Sequence, residues 1–406
     1  MPSRTAVTGI GVIAAIGQGK AAFLNALLEG KHAFDVMQRV GRQYKSSYIG
    51  AEIGKIAFSP SITQKTLRAC SLSAQAALVV LQEAWNEARL SDVDPRRIGL
   101  IIGGSNLQQR ELAQIQETYR ESPVFLRPTY ALSFMDSDLC GFCTAQFGIR
   151  GLACTVGGAS ASGQLAIVQA AQAMLTKQVD VCIAMGALMD LSHWECRGLR
   201  AVGAMGSDRY ETEPAKACRP FDRDHDGFIF GECCGAVVLE SAESSVRRGV
   251  KSYGSLCGWG IVMDGNRNPD PSVEGETQAI QDALDASGLL PAQIDYVNPH
   301  GTGSTTGDET ELKALSRCGL TGAYLNATKS LTGHGLSAAG TVEVIATLLQ
   351  MQAGRLHPSR NLENPIDPAV NWVKEQPVDH QIENALTLSM GFGGINTALC
   401  WQRHQA

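Results

Sequence analysis

The sequence predicts an α/β protein built as two similar halves, and three observations carry that expectation. Short apolar runs of β type alternate with longer helical stretches along the 406 residues. The same order of runs and helices is used once before residue 250 and again after it. Most of the 43 glycines fall in short apolar clusters without a G-X-Y period, which implies tight turns and close backbone approaches and excludes collagen.

In the first half, AVTGIGVI (6–13) reads as a strand, AAFLNALLEG (21–30) and SLSAQAALVVLQEAWNEARL (71–90) as helices, and IGLIIGGS (98–105) as a strand again. SGQLAIVQAAQAMLTKQ (162–178) is rich in apolar residues and reads as a buried helix, followed by the strand VDVCIAMGAL (179–188) and by GAVVLESAESSVRRG (235–249), a strand running into a helix. The second half opens with KSYGSLCGWGIVM (251–263), continues with the amphipathic helix ETQAIQDALDASGL (276–289), and ends two strands in glycine loops, IDYVNPHGTG (294–303) and ALTLSMGFGG (385–394). The halves are therefore placed at 1–250 and 251–406; no repeat of 20–50 residues is visible, so a solenoid is excluded. Polar stretches at 107–121, 206–217 and 264–275 read as functional loops.

Composition narrows the function. Hydrophobic residues are 44% and charged residues 18%, a globular balance that excludes a mainly disordered chain or a coiled coil. The net charge is -6 and there is no basic run, so nucleic acid is not an expected partner, while a local basic patch facing an acidic protein stays open. The twelve cysteines sit mostly in apolar segments and read as free thiols of a reducing compartment. Cys140 and Cys143 form a CxxC with no second pair at zinc spacing, so no metal is expected. The N-terminal MPSRTAVTGIGVIAAIG is too polar and glycine-broken for a signal segment, and no apolar run reaches the ~20 residues of a membrane span, which points to the cytoplasm and away from membranes.

Four glycine-rich strand ends carry chemically useful side chains: VGGASASG (156–163), PHGTGSTTGDETE (299–311), ATKSLTGHGLSAAG (327–340) and MGFGGIN (390–396). Each alone is a weak signal, and His300 or His334 alone reads as readily as a structural histidine. Together with RTAVTGIGVI, FGIRG (147–151) and RPFDRDHDGFIFGE (219–232), they make the chain resemble the β-ketoacyl synthases, the condensing enzymes of fatty-acid and polyketide assembly, over nearly its whole length.

The resemblance implies a thiolase-like fold of five αβαβα layers, a homodimer, and an acyl carrier protein as partner. It implies no intrinsic cofactor beyond the phosphopantetheine arm of the substrate carrier. It makes His300 and His334 the paired histidines and Lys329 the supporting lysine, with Glu311 as the acidic residue near that lysine. Thr302 and Ser304 fall where the family contacts phosphopantetheine, Phe392 matches the residue gating the acyl pocket, and the amides around Ser160 and Phe392 would form the oxyanion hole. Two imidazole N–H donors converging on a thioester carbonyl stabilise the enolate left when a malonyl carboxylate departs as carbon dioxide.

The family's nucleophilic cysteine is absent. Counting forward from FGIRG and back from VDVCIAMGA, both without a gap, puts Ser160 at that position, just before the apolar helix whose N-terminal amides favour developing negative charge. Cys154, in GLACTV, falls inside a probable strand and reads as a small buried hydrophobe. A thiol starts near a pKa of about 8.5 and can be ionised at a helix start. A hydroxyl needs a base instead, which serine hydrolases supply as a histidine held by a carboxylate; here the GxSxG elbow is missing and the resemblance gives both histidines another task, so Ser160 should acylate itself slowly. An enzyme able to decarboxylate an extender but not to load a primer resembles the stand-alone decarboxylases of polyketide β-branching cassettes, which carry serine here. They turn malonyl-acyl carrier protein into acetyl-acyl carrier protein for an HMG-synthase-like partner.

Two alternatives stay open: a condensing 3-oxoacyl-ACP synthase working through an oxygen ester on Ser160, and a non-catalytic subunit resembling a chain-length factor, although such factors usually lose both histidines. Departures from the family pattern are His225 in place of an arginine, Cys233 and Cys234 in GECCG, and Met390 and Ile395 around GFGG, the last two bordering the expected pocket. Replacing arginine by histidine makes a carboxylate contact there pH-dependent or removes it. The proton donor to the enolate is left between water and one of the two histidines.

Overall fold

A computed structural model describes residues 5–404 apart from 61, 69 and 268; Arg4 of the N-terminal motif and residue 268 of the 264–275 stretch lie outside the described residues. The N-terminal strands are β1 (Thr5–Ala14), β2 (Ile98–Gly103), β3 (Ala153–Val156), β4 (Val181–Gly186) and β5 (Cys233–Ser241). The C-terminal strands are β6 (Ser255–Met263), β7 (Tyr296–Asn298), β8 (Tyr324–Leu325), β9 (Asn384–Gly391) and β10 (Ile395–Gln402).

The spatial order is β3-β2-β4-β5-β1 in one set and β8-β7-β9-β10-β6 in the other, so each runs third, second, fourth, fifth, first. The pairing senses also repeat: the two ladders at the third-strand end are parallel and the two at the first-strand end antiparallel. A short antiparallel contact, Thr5 with Leu256 and Ala6 with Ser255, joins the sets edge to edge.

Helices fill the layers. On one outer face, α1 (Leu72–Glu87) packs on β1 and β5, started by the Ser71 side chain accepting from the Ala74 amide. On the opposite outer face, α3 (Val273–Ser287) packs on β6 and β10, with α4 (Thr305–Arg317) beside it. Between the sheets lie α2 (Ser162–Leu175) and α5 (Ala339–Ala353), packed on each other. Both are mainly apolar because both faces are largely covered; every residue of α5 from Ala339 to Met351 is buried. Each fully buried Leu, Ile or Val there contributes roughly 1.5–3 kcal/mol of hydrophobic stabilisation. The two helices approach closely through glycines: a Cβ on Gly163 would lie 2.6 Å from Thr341 Oγ1, and one on Gly340 3.0 Å from Gln164 Cγ. The result is the five-layer α/β arrangement expected.

Two local readings change. The stretch 107–121 is not simply a loop: residues Gln109–Thr118 form a helix that buries Leu112, because a Gln- and Glu-rich segment is polar yet helix-forming. The helix expected at 276–289 starts earlier, at Val273, where the Ser272 side chain accepts from the Gly275 amide. Cys140 and Cys143 lie on one helix, Ser137–Phe147, both buried. Among the described residues no helix is long and apolar enough to cross a membrane.

Candidate active site

Strand β3 leaves the sheet into Gly157 and Gly158, and a 3-10 turn, Ala159–Ala161, leads into α2. Ala159 has φ 45°, a left-handed conformation that costs a non-glycine residue about 1–3 kcal/mol and persists only where its surroundings enforce it. The end of β9 presses on this turn: a Cβ on Gly391 would sit 2.3 Å from the Gly158 carbonyl oxygen, so only glycine fits. Ser389 Oγ donates to the Ser160 carbonyl at 3.1 Å. The GFGG segment and the serine turn are thus locked together, which sets Phe392, 45% exposed, at the mouth of the cavity beside Ser160.

Ser160 Oγ lies 2.9 Å from His334 Nε2. The His300 and His334 rings meet edge to face with centroids 5.4 Å apart, and Phe228 packs edge-on against the other side of His334 at 5.1 Å. Lys329 Nζ, buried, is 3.4 Å from His300 Nδ1, donates also to the His300 carbonyl, and pairs with Glu343 on α5. An ammonium only donates, so His300 Nδ1 is the acceptor and Nε2 carries the proton. Burial, then the Lys329 charge and the neighbouring His334, hold the His300 pKa well below 6.5; burial and Lys329 do the same to His334. Both imidazoles are neutral at physiological pH, and a neutral imidazole can donate one N–H without carrying charge.

Glu311 stands near enough to Lys329 to feel its charge, and a second acid makes the contact. Glu343 makes the ion pair, while Glu311 spends both oxygens on backbone amides, those of His300 at 2.5 Å and Gly301 at 2.8 Å. Glu311 therefore fixes the loop that presents His300. Burial pushes its carboxyl up to about 8, against the pull of those two amides. Asp308, one helical turn earlier, accepts from the amides of Phe221, Thr302 and Gly303 and from His225 Nδ1 at 3.2 Å. The contact at position 225 is thus kept by a histidine.

These groups line one cavity of about 480 Å³. Ser160, His300, His334, Thr302, Ser304 and Phe392 all face it, and Thr302 Oγ1 is 2.9 Å from Ser304 Oγ. Lys329 stands behind the histidines and does not line it. Met390 lines the cavity, whereas Ile395 packs beside it against Gly158, where a Cβ would be 3.2 Å from Ile395 Cδ1. Cys154 is in β3, half-buried and off the cavity, its thiol pushed up by burial. Cys233 and Cys234 are buried in β5.

Sequence reasoning missed Glu343, although a single carboxylate inside the thirteen-residue buried run of α5 is a visible signal that a buried cation must face it. It also missed the apolar wall of Met189, Leu191, Leu199, Val202 and Phe228, which no local motif marks.

Comparison with known proteins adds three findings. The chain is 61% identical over 396 residues, 98% of this chain and 95% of the other, to the polyketide biosynthesis malonyl-ACP decarboxylase PksF of Bacillus subtilis (strain 168). It is 32% identical over 410 residues, 99% of both chains, to 3-oxoacyl-[acyl-carrier-protein] synthase 1 of Haemophilus influenzae (strain ATCC 51907 / DSM 11121 / KW20 / Rd). It superposes with a TM-score of 0.87 and 26% identity, covering 100% of both chains, on a ketosynthase solved in complex with its type II polyketide synthase acyl-carrier protein. The β-ketoacyl synthase N-terminal domain family matches residues 3–245 and its C-terminal domain family residues 253–363, and the chain belongs to the β-ketoacyl synthase family.

Proposed function

We propose that this protein decarboxylates malonyl-acyl carrier protein to acetyl-acyl carrier protein in polyketide biosynthesis, and that the acetyl unit serves β-branching. One observation carries the reading: two neutral histidines are retained at a turn where the family's thiol is replaced by the hydroxyl of Ser160. The 61% identity to a malonyl-ACP decarboxylase supports it.

In this reading the phosphopantetheine arm of the carrier enters past Phe392 and rests on Thr302 and Ser304. The thioester carbonyl accepts N–H bonds from His300 and His334. The bond between C2 and the carboxylate carbon breaks, carbon dioxide leaves, and the enolate oxygen is held by the two imidazoles, an arrangement worth several kcal/mol when pre-organised in a dry site. Lys329 fixes the tautomer of His300, and Glu311 fixes its backbone. Ser160 contributes a hydrogen bond and no covalent step. The backbone amides of Ser160 and Phe392 complete the oxyanion site, and no intrinsic cofactor is needed.

The halves 1–250 and 251–406 divide the work, the first supplying Ser160 and the second the histidines and the lysine. We also propose a cytoplasmic homodimer: β3 ends the sheet with one edge unpaired, and Val124, Phe125, Leu132 and Phe134 are largely exposed on the same half. Sedimentation would then give twice the chain mass.

The test is intact mass spectrometry of malonyl-carrier protein incubated with the enzyme, with and without an acyl-carrier primer. Loss of carbon dioxide from the carrier in both cases, with no 3-ketoacyl product, is expected. A 3-ketoacyl product would make the protein a condensing enzyme, and an unchanged carrier would make it a non-catalytic subunit.

A further inference from the structure

The decarboxylation leaves a carbanion equivalent that must take up one proton, and the two histidines are engaged in holding its oxygen. The cavity offers another proton source in Glu276. It lies in the first turn of α3, is 1% exposed, and lines the same cavity as Ser160, His300 and His334. Its Oε2 is buried with no hydrogen-bond partner.

Every other carboxyl on that cavity is spoken for or wet. Glu311 and Asp308 bind backbone amides, Asp264 accepts from Asn396 at 2.7 Å, Glu195 accepts from Ser192, and Asp270 is exposed. An unpartnered buried carboxyl is costly, and the cost is smallest when it is protonated. Three carboxyls face it: Asp308 and Glu311 from α4 and Asp264 from the end of β6. Burial first, then those carboxyls, raise its pKa well above the ordinary carboxylate value, against the favourable field of the α3 N-terminus.

We propose that Glu276 is the catalytic acid that protonates the enolate, an inference that rests on the decarboxylase reading above. The electron pair of the broken carbon–carboxylate bond, held in the enolate, takes the Glu276 proton at C2. The products are an acetyl thioester, carbon dioxide and the Glu276 carboxylate, which recovers a proton from water before the next turnover. The balance is one malonyl carboxylate plus one solvent proton giving acetyl and carbon dioxide, with no oxidant or reductant.

Glu276→Gln keeps the shape and removes the acid, and Glu276→Asp keeps the acid on a shorter arm. With malonyl-carrier protein as substrate, we expect kcat of Glu276→Gln to fall about 100-fold with KM little changed, and Glu276→Asp to recover part of the loss. The wild-type rate falls as pH rises through the pKa of Glu276, and this alkaline limb is absent in Glu276→Gln. In deuterated water, with a malonyl group stereospecifically labelled with tritium at C2, wild type gives a methyl group of one chirality and Glu276→Gln a racemic one. Unchanged kcat, an unchanged alkaline limb or retained chirality in Glu276→Gln would overturn the assignment. Failure of wild type to release carbon dioxide would instead overturn the decarboxylase reading on which it rests.

Discussion

The two halves reach the central layer through the same device and use it differently. In the N-terminal half a left-handed residue, Ala159 at φ 45°, opens a 3-10 turn that feeds the buried helix α2; in the C-terminal half Leu336 at φ 51° opens the turn that feeds α5. The second residue of each turn is a serine. Ser160 reaches His334 at 2.9 Å, whereas Ser337 is 2% exposed and donates to the Ala187 carbonyl at 2.9 Å. Both serines line the cavity, but Ser160 turns its hydroxyl to a histidine while Ser337 uses its own to knit the layers together. His300 and His334 come from loops and Lys329 from a short helix, all of the C-terminal half, so strand order and helix entry fix where a group can stand, and the chemistry of the connections decides what it does.

The largest effect should come from breaking the C-terminal contribution. His300→Ala removes one carbonyl donor and should slow formation of the acetyl carrier by about 100- to 1,000-fold, measured by intact carrier mass. His334→Ala should do the same, and an effect under tenfold for both would detach the histidines from the enolate.

Next is the contact that His225 of the N-terminal half makes with Asp308, which lines the cavity. Burial opposes a charge on His225, but its hydrogen bond and attraction to Asp308 outweigh that and raise its pKa above 6.5. A raised folded-state pKa means stabilisation that is complete below about pH 6.5 and lost as pH rises through the folded value. At pH 6, His225→Gln should cost about 1.5 kcal/mol, and the gap to wild type should close towards pH 9, as read by denaturant titration. A gap that widens with pH would contradict the ion pair.

The smallest effect sharpens the contrast between the two serines. If Ser160 supplies only a neutral hydrogen bond worth about 0.5–1.5 kcal/mol, Ser160→Ala should change the decarboxylation rate by no more than about tenfold. A loss as large as that of His300→Ala would give the hydroxyl a covalent role.

Much of this arrangement is legible in the sequence. The alternation of apolar runs marks the strands, and the mainly apolar stretch before VDVCIAMGA marks α2, because a helix covered on both faces carries few polar residues. Ser160 is found by counting between two motifs that the turn geometry keeps at fixed length. Glu276 is not legible: in sequence it is one of two acids in the first turn of an amphipathic helix, and only the packing of Glu311, Asp308 and Asp264 around it sets it apart. The helix Gln109–Thr118 was hidden by its polarity, since composition reports exposure and not backbone conformation.

In the function proposed, the decarboxylating half of the chemistry stands while the acyl-loading half is lost at one atom, the oxygen of Ser160. Peptide mass spectrometry after incubation with an acyl-carrier primer tests it most directly, on wild type and on Ser160→Cys. The account predicts no acyl group on residue 160 of wild type, which still releases carbon dioxide from malonyl carrier, and a thioester on residue 160 of Ser160→Cys. An oxygen ester on wild-type Ser160, formed as fast as carbon dioxide is released, would contradict it.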